Sequence, residues 1–297
     1  MDRGDKTALT AFVIAAIFGG GNAVAIKFSV LELDPIWAAA LRFLGAAAIM
    51  LVILAVRRES FPRGRSLITA IVFGILTFGI AFALGFYALV ELNPGFAQII
   101  FAIIPLFTLL FAVAHGQEKI TAKALGGSAL ALAGIGVMSG FAVGDGIPLL
   151  PLLALLGGVL CIAEAGVLVK SLPHIHPVAV NAVGMSAGAV FLLGLTFVVG
   201  NDIALPTLTE TWVAMIYMVV ASVIIFTAYL LVLEHWSASR ASYIVLLMPP
   251  ITIVLSVLLL DEPIGPGFIA GGLLVLAGVY VGAIKHTHHR HHHHLHA

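Results

Sequence analysis

Glu164 lies inside the apolar run 149–170, six residues before Lys170. A carboxylate within hydrocarbon is costly and faces a wet cavity or a partner. Three roles are open to it: binding a solute ammonium, carrying a coupling proton, or pairing with a neighbouring helix. Lys170 is a poor intrahelical partner, because residues six apart do not share a helix face. A second chemical stretch is "IFGGGNAVAIK", Ile17 to Lys27. Gly19, Gly20 and Gly21 each cost a helix about 1 kcal/mol relative to alanine. Freed backbone groups at such depth are tolerated where they line a cavity, and Asn22 adds a side-chain donor and acceptor. The same glycines also suit a close helix crossing, and both uses are compatible. Lys27 falls about 30 Å along this helix, at the far boundary, where it snorkels to water or meets a solute carboxylate at a cavity mouth.

Gln98 opens another apolar run, with Phe101 and Pro105 on its face at i+3 and i+7. A polar head beside an aromatic surface suits an amino-acid-like solute. Phe78, Phe82 and Phe86 recur every four residues with Tyr87 adjacent, while Tyr217, Phe226, Tyr229 and Tyr243 mark later runs. Such stripes serve either a cavity wall or ordinary packing. Pro105 and Pro249 are expected to kink their helices, as hinges or as static bends. Arg42, about 9 Å along its helix from Pro35, is expected to pair with Glu32 or Asp34 at the surface.

The elements that must position these groups follow from composition. Of 297 residues 61% are hydrophobic and only 9% charged, against roughly 25% charged in soluble domains. The surface must therefore face lipid. A membrane helix needs about 20 apolar residues, and ten runs qualify: 8–28, 36–56, 67–89, 95–114, 122–141, 149–170, 177–199, 211–233, 241–260 and 265–285. Their continuity argues against a β-barrel. The expected fold is an all-α polytopic membrane protein. With the N-terminus in the cytoplasm, all lysines and arginines except Lys27 and Arg42 fall in or beside inner segments. Both termini are therefore expected inside.

The chain also repeats itself. Pro105 and Pro249, Glu118 and Glu262, Gly127 and Gly271, and Gly134 and Gly278 all share an offset of 144, and Lys27 matches Lys170 at 143. The expected organisation is a five-helix repeat over 1–143 and a second over 144–285, with a His-rich disordered tail at 286–297. Five is odd, so the second copy enters the membrane inverted, with Glu118 inside and Glu262 outside. Inverted repeats are a common build for secondary transporters, with a central cavity between the copies.

At these residues the chain resembles the EamA-type repeat of the drug/metabolite transporter superfamily. The resemblance rests on proline, about thirteen residues, an acidic residue and a Gly-rich helix ending "LAGxxV", twice over. "GGGNAVAIK" and "DPIWAAALRF" are similar to that family's first- and second-helix elements. The second copy departs, with Glu164-Ala165 where the first has Gly21-Asn22, and no Arg-Phe pair. The finer likeness is to the YddG-type amino-acid exporters. It implies ten helices around a cavity and export of small metabolites by alternating access across a bacterial-type inner membrane.

No phosphate-loop motif or H-E-x-x-H is present, and the one G-x-S-x-G match, Gly184 to Gly188, lies inside the apolar run 177–199 rather than at a strand-to-helix turn. The sequence therefore points to a transporter, not an enzyme, with no cofactor, no metal and no ATPase partner. Zero net charge argues against nucleic acid. The expected partners are lipid and small zwitterionic solutes. Export of drugs or organic cations is the main alternative. Less favoured are a channel and an intramembrane enzyme pairing Glu164 with His174.

Overall fold

The computed structural model describes residues 3–139, 148–172, 176–200, 202–261 and 266–281. Glu262, His174 and the histidine-rich tail lie outside the described residues. Among the described residues the chain is helical, with no strand. In order it forms α1 (Arg3–Gly20), α2 (Asn22–Val30), α3 (Pro35–Arg57) and α4 (Arg65–Gly74). A π-helical segment, Ile75–Ala81, leads into α5 (Phe82–Glu91), then α6 (Pro94–Phe101), α7 (Ile104–Ala114), α8 (Ala122–Ser139) and α9 (Leu149–Lys170). Next come α10 (Pro177–Val199), α11 (Thr209–His235) and α12 (Ala238–Ser242). A 3₁₀ segment, Tyr243–Leu247, precedes α13 (Met248–Leu260) and α14 (Pro266–Val279). Seven helical stretches are long and apolar enough to cross a membrane, and two shorter apolar helices accompany them, Ile104–Ala114 and Leu125–Gly134.

Local chemistry explains where these helices start and stop, and the devices recur along the chain. Asp34 precedes Pro35 and its Oδ1 accepts from the Ile36 N–H at 3.0 Å. Residue 176 repeats the arrangement: His176 precedes Pro177 and its Nδ1 accepts from the Val178 N–H at 3.3 Å. Each cap satisfies an orphan donor of the first turn, where proline has none to lose. Asn93 caps α6 through Phe96 N–H, as Ser237 caps α12 through Arg240 N–H. At helix ends, Lys27 Nζ donates to the carbonyls of Leu89 and Val90 at 3.0 Å each. Lys170 Nζ donates likewise to the Leu233 carbonyl. A lysine on a helix C-terminus meets both free acceptors and the negative end of the dipole.

One expectation about breaks needs correcting. The run 95–114 is not one continuous helix, because it turns at Ala102 and Ile103 between α6 and α7. Pro105 and Pro249 each stand second in a regular α-helix, α7 or α13. The ring would clash with the carbonyl four residues back, and regular α-helix gives way just before it, to the turn at Ala102 and Ile103 in one case and to the 3₁₀ segment Tyr243–Leu247 in the other.

The two ends of the bundle differ. One end joins α2 to α3 and leads into α11. There Glu32 Oε1 accepts from the Thr207 hydroxyl at 2.6 Å and from the Thr207 and Leu208 N–H groups. Trp37 Nε1 donates to the Ala204 carbonyl at 2.6 Å. The Thr207 hydroxyl is the main cause, with its neighbouring donors, of a Glu32 pKa lowered from 4.5 to about 2. A lowered carboxylate pKa means stability present above about pH 4.5 and lost as pH falls toward 2. Glu32→Gln should therefore melt earlier than the wild type near neutral pH. Thermal unfolding in detergent should show that gap close on acidification through this window. A gap independent of pH would remove Glu32 from this role.

The other end carries the N-terminus and most of the ion pairs. Glu118 accepts from the Ser239 N–H at 3.0 Å and from the Ser239 hydroxyl. Trp236 donates to Asp5 at 3.2 Å while Arg240 stacks over its ring at 3.7 Å. His176 Nε2 lies 3.6 Å from Glu59.

Candidate functional site

A cavity of about 120 Å³ opens among α2, the π segment, α5, α6, α11 and the α12–α13 junction. A water occupies roughly 10–15 Å³ on this measure, so there is room for several waters or one small organic solute. The wall is built mainly from Ala23, Ile26, Phe73, Phe82, Phe101, Ile162, Phe226, Tyr229 and Met248. Its polar members are Asn22, Arg42, Thr77, Gln98 and Ser242. No Asp or Glu lines it among the described residues.

The glycine run at the end of α1 shapes one side. A Cβ on Gly19 would sit 2.2 Å from Met248 Cε, one on Gly20 2.4 Å from Ile251 Cβ, and one on Gly21 2.4 Å from the Tyr217 hydroxyl. The helix breaks at Gly21, and side chains take up the nearby carbonyls. Tyr217 donates to Phe18 O at 2.5 Å, and Thr252 donates to Gly20 O at 2.5 Å. Close crossing and cavity lining thus coexist: Gly19 and Asn22 line the cavity while Gly20 and Gly21 sit against side chains of α13 and α11.

Of the aromatic and polar residues singled out from the sequence, Asn22, Phe82, Gln98, Phe101 and Tyr229 come together in the lining. Gln98 Oε1 and Asn22 Oδ1 are buried acceptors without a hydrogen-bond partner among the described residues. Phe78 stands one layer behind the wall, T-shaped on Phe226 at 4.6 Å and on Phe73 at 5.4 Å. Tyr243 is buried and meets Ser128 Oγ at 3.4 Å, while its neighbours Ser242 and Ile244 face the cavity. Tyr87 stands on the outside of the bundle, 39% exposed. Lys27 holds the end of α5 and is not in the lining. Glu164 is also outside it, 3.0 Å from His115 Nε2 in a half-exposed pair.

Arg42 is the main correction. It was expected at the surface with Glu32 or Asp34. Instead it is 0% exposed and forms part of the cavity wall. Its Nε donates to Ser222 Oγ at 2.8 Å, and its guanidinium carbon lies 4.5 Å from the Phe82 ring centre and 5.0 Å from that of Phe43. Both terminal nitrogens are buried without a hydrogen-bond partner among the described residues. Reading by distance from the helix start missed it. The usable signal was the stripe Ala38–Arg42–Ala46–Met50, one helix face on which small residues flank the arginine, all four buried. The π-helical segment that brings Thr77 into the wall has no such signal. It follows from close packing of Gly74 and Gly79 against α10. π-helical turns are rare and concentrate at functional sites.

Comparison with known proteins adds the following. The EamA-like transporter family matches residues 6–140 and again residues 149–283. An uncharacterized transporter of Archaeoglobus fulgidus is 26% identical over 276 residues, spanning 90% of this chain and 95% of that protein. The uncharacterized inner membrane transporter YedA of Escherichia coli K12 is 26% identical over 273 residues, 91% of this chain and 89% of its own. One protein of known crystal structure shares the fold, with a TM-score of 0.74 at 18% identity over 93% of this chain and 97% of that one.

Proposed function

This chain belongs to the EamA-like transporter family, and from that premise we propose that it exports amino acids and related small zwitterionic metabolites across the inner membrane by alternating access. It is a polytopic membrane transporter rather than an enzyme. The observation that carries the substrate class is the character of the cavity. An apolar, aromatic wall holds the unpartnered acceptors Asn22 Oδ1 and Gln98 Oε1. Buried polar atoms without partners are expensive, and a solute ammonium supplies the donors they lack. Ligand sites share this pattern of apolar lining with a few placed polar groups.

Ten membrane-crossing segments in two inverted five-helix repeats, 1–143 and 144–285, are part of the same proposal. In its favour, helix caps and breaks recur at a near-constant spacing. Lys27 on Leu89 parallels Lys170 on Leu233, and Asn93 before α6 parallels Ser237 before α12. The changes in helix geometry before Pro105 and Pro249 recur at the same spacing. The basic residues Arg57, Arg58, Arg63, Arg65 and Lys119 share the end that carries the N-terminus, which favours cytoplasmic termini.

The test is counterflow in proteoliposomes loaded with single amino acids or organic cations. Accumulation of labelled amino acid above protein-free liposomes is expected. Accumulation of cations alone would replace this reading with a drug exporter.

Glu164, paired with His115 outside the cavity lining, is the proposed proton-coupling carboxylate. Glu164→Gln is expected to remove a several-fold acceleration by an imposed pH gradient while leaving basal exchange intact. Uptake with and without the gradient decides this, and an unchanged pH response would take Glu164 out of coupling.

A further inference from the structure

We propose that Arg42 is the anion subsite of the cavity, and that its occupant is the carboxylate of the transported solute. The inference deepens the transport reading above and rests on it for the route of the solute.

The argument starts from what the guanidinium has and lacks. An arginine presents five N–H donors and stays charged under ordinary conditions. Here Nε is satisfied by Ser222 Oγ at 2.8 Å, which fixes the plane of the group. Ser222 is itself held by donating to Met218 O at 2.6 Å. The remaining edge, Nη1 and Nη2, has no hydrogen-bond partner among the described residues. That edge is the fork a carboxylate engages through two parallel bonds.

No protein acid competes for it. The cavity wall contains no Asp or Glu among the described residues, Asp34 caps α3, and Glu32 is held by Thr207. The positive charge is covered instead by two aromatic faces, Phe82 at 4.5 Å and Phe43 at 5.0 Å. Cation–π contact draws the cation to the quadrupole of a neutral ring. It is a weaker partner than a charge-assisted bidentate carboxylate. Phe82 lines the cavity while Phe43 is fully buried. The ring that shields Arg42 from the cavity is therefore Phe82, and an arriving carboxylate displaces that contact.

Selectivity follows from the sign of the charge. A cavity with one buried cation and no anion in its wall repels organic cations and accepts solutes that bring a carboxylate. Decarboxylated amines of the same shape are disfavoured.

The probes are leucine, methionine and phenylalanine, each with its decarboxylated amine and its deaminated acid. Binding is read as ligand-induced shifts in thermal unfolding of the purified protein, and transport as counterflow. Carboxylate-bearing members are expected to bind the wild type, with the amines weaker by roughly tenfold to a hundredfold, as for loss of a hydrogen bond to a charged group. Arg42→Gln should lose carboxylate binding to a similar degree. Arg42→Lys keeps the charge without the fork and should bind at an intermediate level. If Arg42→Gln does not fold, the acid–amine comparison in the wild type and the Lys variant still decide. Amines binding as well as acids, no carboxylate-dependent shift with any probe, or full binding by Arg42→Gln would each overturn the proposal. Arg42-dependent binding of the deaminated acids without any amino-acid transport would uphold it and refute the amino-acid reading instead. Amino-acid counterflow indifferent to Arg42 would do the reverse.

Discussion

Gly85→Phe is expected to bring solute exchange down to the level of protein-free liposomes while the protein stays folded. Gly85 lines the cavity from α5, and a Cβ placed there meets only Phe101 Cζ at 3.8 Å, an ordinary contact. The position thus accepts a side chain without moving the backbone. A benzyl group extended from it enters a space of about 120 Å³ and leaves little for a solute. Gly85→Ala is the control. It should transport normally and gain up to about 1 kcal/mol from better helix propensity. Both variants are read by counterflow and by thermal unfolding. Wild-type exchange by a folded Gly85→Phe would show that the solute takes another route.

Gly74→Val has the largest expected effect on folding. A Cβ at Gly74 would sit 2.1 Å from Gly184 O and 2.4 Å from Gly184 Cα, so the atoms in the way are backbone. Gly188 completes the crossing, 3.0 Å from Gly74 O by the same measure. Membrane helices associate largely through such close contact, since lipid supplies no hydrophobic drive between them. No rotamer change relieves the clash, and α4 must separate from α10. Overpacking typically costs about 1–3 kcal/mol, and here the upper end is expected because a backbone has to shift. That corresponds to a melting temperature lower by on the order of 10 °C. Gly194 on α10 has nothing within 4 Å of its would-be Cβ, so Gly194→Ala should melt no lower than the wild type, and up to about 1 kcal/mol more stably from helix propensity. Equal melting of Gly74→Val and the wild type would contradict this helix crossing.

The helix layout was legible because its causes are local. In lipid each apolar run must satisfy its own backbone hydrogen bonds, so it becomes a helix. Asp34-Pro35 and His176-Pro177 announce two starts from a few residues. The glycines at 19–21 could be read as costly in a helix and therefore useful, and Asn22 beside them as polar for a reason. Gln98 and Phe101 stand three apart on α6, and both line the cavity.

Other features were not legible because their causes are distant. Arg42 finds Ser222 180 positions away, and Glu164 on α9 finds His115 just past the end of α7. The π segment at Ile75–Ala81 exists beside an approach of α10 that no local pattern encodes. Phe78 and Phe82 belong to one aromatic stripe, yet Phe82 lines the cavity while Phe78 packs behind its wall. In water, polarity separates the inner face of a helix from the outer. In hydrocarbon both faces are apolar and that contrast vanishes. The sequence by itself determined that this chain is a helical membrane protein with a doubled pattern of prolines, glycines and caps. Only the tertiary structure decided which faces meet, and so which charged side chain stands in the cavity wall, because shape fit between helices of like polarity is a property of pairs.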